Sequence, residues 1–141
     1  MNEFRLKLLS KTGNESFARS CVSAFCLELN PTLEEINDVK TAVSEAVTNC
    51  IVHAYNNSQE GKYIDLSVRL ENGKVEIIIE DEGCGIDDVE KAIQPFYTTK
   101  PDQERSGMGF TLIKTFMDKV DIISQKDKGT KVIMQKEFKK E

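Results

Sequence analysis

Ile64-Asp65-Leu66-Ser67-Val68-Arg69-Leu70-Glu71-Asn72-Gly73-Lys74-Val75-Glu76-Ile77-Ile78-Ile79-Glu80 is the stretch that decides the fold. Ile64, Leu66, Val68 and Leu70 alternate with Asp65, Ser67 and Arg69, the period of a strand with one buried face. Asn72-Gly73 is a two-residue hairpin signal, because both residues accept the positive φ that such a turn requires. The return strand runs from Lys74 to Glu80, and Ile77-Ile78-Ile79 reads as its buried centre.

Working outward, residues 3–10 alternate well enough for a first strand. Asn14 is positioned to cap a helix through about Leu29, with Phe17, Ala18, Cys21, Val22, Phe25 and Leu29 inward, and Pro31 stops it. Thr32-Leu33-Glu34-Glu35 is a capping box opening a long helix to about Tyr55. Its apolar stripe is Ile36, Val39, Val43, Ala46, Val47, Cys50 and Ile51. After the hairpin, Asp81 to Gly85 turns the chain, and residues 86–106 read as a polar loop or lid holding Pro95 and Pro101. Ser106 can cap a helix from about Gly107 to Asp118, with Phe110, Ile113, Phe116 and Met117 inward. Two strands, about 120–126 and 130–138, flank Lys128-Gly129. The expected architecture is α+β: a two-layer α/β sandwich, with helices on one face of a mixed, mainly antiparallel sheet. The open sheet face could support a homodimer.

The 141 residues suit one domain over 1–141. Apolar residues make up 39% and charged residues 30%, enough for a packed core and a solvated surface. A net charge of −5 with no Lys/Arg cluster argues against nucleic acid, whose phosphates need concentrated positive charge. The start, Met1-Asn2-Glu3-Phe4-Arg5, does not read as a signal peptide, and no apolar run reaches membrane-spanning length. Cys21, Cys26, Cys50 and Cys84 lack the Cys-x-x-Cys spacing of a zinc site. They read as small hydrophobes of a reducing cytoplasm, Cys84 alone sitting in a glycine loop where oxidation is open to it.

Four short segments carry chemistry. Glu45 and Asn49, four residues apart, project from one helix face, about 40° apart around the axis. A carboxylate and an amide oxygen there suit Mg²⁺, although a solvated helix face would look the same. His53 continues that face as a surface residue. Asp81 precedes Gly83 and Gly85, and a strand-terminal carboxylate can accept from an adenine amino group while the glycines let backbone approach the base. An ordinary Asp-Gly turn is the alternative. Gly107-Met108-Gly109 opens a helix, where free N–H groups and the positive dipole end attract phosphate. Neither a Rossmann fingerprint nor a Walker A lysine is present, so this would be a third type of phosphate site. Between the glycine loops, Thr98, Thr99, Lys100 and Arg105 supply hydroxyls and cations that could fold over phosphates.

Taken in order, Ser44-Glu45-Ala46-Val47-Thr48-Asn49, Asp81-Glu82-Gly83-Cys84-Gly85-Ile86, Gln94-Pro95-Phe96-Tyr97-Thr98-Thr99-Lys100 and Arg105-Ser106-Gly107-Met108-Gly109-Phe110 resemble the GHKL nucleotide-binding superfamily of gyrases and histidine kinases. With Asn14-Glu15-Ser16-Phe17-Ala18-Arg19 added, the chain is similar to the anti-sigma factor serine kinases of spore-forming bacteria. The resemblance implies the Bergerat-type ATP-binding fold, with ATP and Mg²⁺ as cofactors. It implies Glu45 as general base, Asn49 as Mg²⁺ ligand and Asp81 on the adenine amino group, with Gly83, Gly85 and Thr130 around the base. Gly107, Met108 and Gly109 would meet the phosphates, and Thr99, Lys100 and Arg105 would make the lid contacts. Arg19 would dock a partner. The implied partners are a sporulation sigma factor, which is held and inhibited, and an anti-anti-sigma protein, which is phosphorylated on serine. A stress-response anti-sigma kinase and a non-catalytic, nucleotide-gated clamp are the alternatives. Glu45 favours a kinase, since a clamp needs no base. A histidine kinase would need a phosphoacceptor His, and the only His is His53.

Overall fold

The computed structural model describes residues 1–58, 60–86, 89 and 109–139. In chain order they form β1 (Asn2–Leu9), α1 (Thr12–Cys26), α2 (Leu33–Asn49), β2 (Tyr63–Glu71), β3 (Lys74–Asp81), α3 (Gly109–Phe116), β4 (Lys119–Gln125) and β5 (Gly129–Glu137). The strands make one sheet of order β1-β2-β3-β5-β4, in which all four pairings are antiparallel. α1 and α3 both pack on α2.

The hairpin turns where the sequence requires it. Asn72 (φ 53°) and Gly73 (φ 76°) both occupy the left-handed region, which fits the right-handed twist of the flanking strands. That turn sets the register Leu70↔Val75, Val68↔Ile77, Leu66↔Ile79 and Ile64↔Asp81. The same face of β1 and β5 adds Phe4, Leu6, Leu8, Val132 and Met134 to the core. Fully burying each such aliphatic side chain contributes about 1.5–3 kcal/mol. Asp81 is therefore the last inward position of β3, where the pattern calls for one more apolar residue.

α1 differs at both ends from the sequence reading. It begins at Thr12 without a side-chain cap, and Asn14 instead donates through Nδ2 to the Leu9 carbonyl at 2.8 Å. It closes through a 3₁₀ turn, Leu27–Leu29, and Asn30 (φ 50°) breaks the helix before Pro31. Phe17, expected inward, is 51% exposed. α2 opens with the expected capping box: Glu35 N–H donates to Thr32 Oγ1 at 3.1 Å, and Thr32 N–H donates to Glu35 Oε1 at 2.9 Å. Its buried face is Val39, Ala42, Val43, Ala46 and Val47. After Asn49 the helix widens into a π-helical turn, Cys50–Ala54. A turn of that kind recurs at functional sites because one extra residue redirects the side chains beyond it.

Candidate functional site

The end of α2, the end of β3 and the β4–β5 turn converge on Asp81. This residue is only 4% exposed. Oδ1 accepts from Gly83 N–H at 2.9 Å and from Thr130 N–H at 3.2 Å. The Cys50 thiol also donates to this carboxylate. Burial pushes the carboxyl pKa above its ordinary value, and these three donors pull it part of the way back. Burial likewise drives the Cys50 thiol well above its usual range, and the neighbouring Asp81 charge adds to the rise. Thr130 is paired directly with Asp81 across the ladder. The sequence placed the turn at Lys128-Gly129; Gly129 instead opens β5, and the turn falls earlier, with Asp127 at φ 64°.

The segment after Asp81 is clamped from two sides. On one side Cys84 N–H donates to Ala54 O at 3.0 Å, and the Cys84 thiol donates to His53 O at 3.3 Å. On the other, Asp127 N–H donates to Cys84 O at 2.6 Å, and Ile86 N–H donates to Ser124 Oγ at 2.8 Å. Tyr55 adds a third tie: its hydroxyl donates to Tyr63 O and accepts from Glu82 N–H at 2.7 Å. The glycines make this clamping possible. A Cβ on Gly83 would overlap the carbonyl of Ala54, one on Gly85 (φ 72°) that of Gln125, and one on Gly129 that of Asp81. The sequence reading assigned Gly83 and Gly85 to close approach of a base; in the structure both also lie close against the chain's own backbone.

Glu45 and Asn49 lie half-buried on α2, immediately before the π-helical turn. Asn49 Nδ2 is buried and has no hydrogen-bond partner among the described residues. An orphaned amide nitrogen costs about 1–3 kcal/mol, and no described residue supplies an acceptor for this one. Arg19, on α1, points toward the same helix. Its guanidinium pairs with Glu15 at 3.2 Å and donates to Ser16 Oγ at 3.3 Å and Ser44 Oγ at 3.4 Å. Gly109 is the first residue of α3. Thr99, Lys100, Arg105, Gly107 and Met108 lie outside the described residues.

Sequence reasoning assigned no role here to Cys50, Tyr55 or Ser124. Ser124 carried a readable signal: it stands on the inward side of β4, after Val120 and Ile122, where alternation calls for an apolar residue. A buried acceptor carboxylate beside a glycine-clamped loop suits a purine with a 6-amino group, and the side-chain oxygens of Glu45 and Asn49 on one helix face are of the type that suits a hard cation. No helix among the described residues is long and apolar enough to cross a membrane.

Residues 10–136 match the family model of the histidine kinase-like ATPase domain. The fold agrees with that class. The RsbU and RsbW domains from Mycobacterium tuberculosis superpose with a TM-score of 0.71 at 15% identity, covering 100% of this chain and 34% of that one. The histidine kinase domain of the blue-light activated kinase from Erythrobacter litoralis gives 0.58 at 15% identity, covering 85% and 59%. Curated relatives are much nearer in sequence. The anti-sigma F factor of Clostridium acetobutylicum is 53% identical, over 97% of this chain and 94% of its own length. Those of Clostridium perfringens and Clostridium novyi are 52% and 50% identical, over 97% and 98% of this chain and 97% and 96% of theirs. The chain belongs to the anti-sigma F factor family, within the histidine kinase-like ATPases.

Proposed function

We propose that this protein binds and inhibits a sporulation sigma factor of the sigma F type, and that it uses Mg-ATP to phosphorylate a serine on the anti-anti-sigma protein that opposes it. The observation that carries the nucleotide half is the buried Asp81 carboxylate, oriented by Gly83 and Thr130 N–H groups. An acceptor held in this way takes the adenine amino group and disfavours a base bearing an oxygen there. The partner half draws its support from the relatives' name.

Asn49, half-buried one helical turn after Glu45 on α2, would hold Mg²⁺ through its side-chain oxygen. The bound ion supplies charge that balances the phosphates during transfer. Glu45, one helical turn before Asn49, orients the acceptor hydroxyl and takes its proton. Gly107, Met108 and Gly109 offer N–H groups to the phosphates, and Thr99, Lys100 and Arg105 cover them. Arg19 docks the partner beside Ser44, next to the base. Transfer of labelled γ-phosphate from Mg-ATP to a purified anti-anti-sigma protein tests this directly. Wild type transfers and Glu45→Ala does not, while ATP affinity stays within a few-fold; loss of ATP binding in that variant would make Glu45 a structural or metal residue instead.

A second copy of the chain packs across the open sheet face, where Ile78 and Ile133 are paired and Ile123 stands 59% exposed. Light scattering on Ile123→Asp tests this: the dimer mass falls to that of a monomer, and an unchanged mass refutes the face.

A further inference from the structure

We infer that Ser124 sets the direction of the Thr130 hydroxyl and thereby makes the base pocket select a 6-amino purine over a 6-oxo purine. The inference rests on the proposed reading that Asp81 and Thr130 face the base.

Proton counting carries the argument. Ser124 Oγ has three polar neighbours: Ile86 N at 2.8 Å, Gly129 O at 3.0 Å and Thr130 Oγ1 at 2.8 Å. A serine hydroxyl has one proton to give and two lone pairs to offer. Ile86 N–H can only donate, so it takes one lone pair. Gly129 O can only accept, so it takes the single proton. The second lone pair is left for Thr130, which must donate its own proton inward to Ser124. Any other arrangement sets two oxygens against each other without a proton between them. Thr130 Oγ1 therefore has no proton left for a ligand and can only accept.

Asp81, its partner across the ladder, is an acceptor as well. The two side chains form an acceptor pair, complementary to an amino group and repulsive toward a carbonyl oxygen. Without the Ser124 hydroxyl, the Thr130 proton is released. Thr130 can then donate, and a 6-oxo purine loses one of its two unfavourable contacts. Ser124 touches no ligand in this scheme. It is a positioning residue, and its effect is on selectivity rather than on affinity alone.

The experiment is calorimetric titration of the whole protein with Mg-ATP and with Mg-ITP, whose base carries oxygen in place of the amino group. Wild type, Ser124→Ala and Ser124→Thr are compared, with thermal melts to establish folding. Wild type prefers ATP. Ser124→Ala narrows that preference about tenfold, a change of about 1.4 kcal/mol, with ITP binding at least as tightly as to wild type. Ser124→Thr, which keeps the hydroxyl, keeps the preference. Equal weakening of both nucleotides in Ser124→Ala, or an unchanged ratio, overturns the role of Ser124 and leaves the Asp81 reading standing. Absence of any preference in wild type overturns both.

Discussion

Cys50 donates its thiol proton to the carboxylate of Asp81, joining the end of α2 to the end of β3 inside the core. Asp81 is held against a cost: burial raises its pKa above 3.8, so the folded state favours the protonated form. A group raised in this way contributes stability that is fully present below its unfolded pKa and is lost as pH rises through the folded one. At neutral pH the ionised carboxylate is thus a cost to stability. Asp81→Asn keeps an acceptor for Gly83 and Thr130 but removes the charge. The expected outcome is a melting temperature that does not fall at neutral pH, with ATP affinity reduced about 10- to 150-fold, the worth of a charge-assisted hydrogen bond. Unchanged ATP affinity would mean that the base pocket has been misplaced.

Two glycines with nearly equal φ separate backbone strain from close packing. Gly73 (φ 76°) has nothing within 4 Å of where a Cβ would stand, whereas Gly85 (φ 72°) faces the Gln125 carbonyl. Gly73→Ala bears only the left-handed penalty, about 1–2 kcal/mol, and leaves ATP affinity unchanged. Gly85→Ala must in addition push the loop off the β4–β5 turn. Chemical denaturation should find it the less stable of the two, and titration should find ATP binding more than tenfold weaker. Equal effects at both positions would show that the clamp has no bearing on the site.

The fold was legible where a local rule acts alone. Asn72-Gly73 fixed the hairpin, and Thr32 with Glu35 fixed the start of α2. The misreadings arose where distant partners decide. Asn14 looked like a cap, but its amide is drawn back to Leu9 by the turn leaving β1. Phe17 fitted the helical period yet stands on the outward side of α1, 51% exposed beside the fully buried Ala18. The π-helical turn leaves no mark in composition, since one inserted residue alters hydrogen bonding without altering polarity. Within the site, Glu45, Asn49 and Asp81 were visible through spacing and neighbouring glycines. Cys50 was not, because a small residue among apolar ones shows its partner only when α2 and β3 are brought together; Ser124 broke the alternation of β4, but its partners are set only when β4 meets β5.

Glu35 gives the protein an acid-sensitive tie between the start of α2 and the residues that follow β5. Burial raises its pKa, but N–H groups of Thr32 and Lys139, the Thr32 hydroxyl and the nearby Lys136 charge outweigh it and leave the value below 4.5. Oε2 accepts from Lys139 N–H at 2.8 Å, fastening the start of α2 to the chain just after β5. A depressed carboxyl contributes stability above its unfolded pKa and loses it as pH falls through the folded one. Melting temperature should therefore drop for wild type as pH is lowered below about 4.5, and Glu35→Gln should show a shallower drop from a lower starting point. Parallel curves for the two proteins would remove Glu35 from the acid transition.

Arg19 is pre-positioned rather than strongly bound. Its pair with Glu15 is an i,i+4 contact at a side chain 36% exposed, a geometry worth about 0.3–0.5 kcal/mol. Its contacts to Ser16 and Ser44 are long, at 3.3 and 3.4 Å. Arg19→Ala should therefore change stability by less than about 1 kcal/mol. What those weak contacts do is restrict the guanidinium to a surface shared by α1 and α2, beside the residue that precedes Glu45. A planar fork held in place loses less freedom when it meets a partner carboxylate or carbonyl. Arg19→Ala, and Arg19→Lys nearly as much, should weaken binding of the anti-anti-sigma protein at least tenfold while ATP affinity stays at the wild-type value. Full recovery with Lys would reduce the role of Arg19 to charge alone, and unimpaired binding by Arg19→Ala would move the docking surface elsewhere.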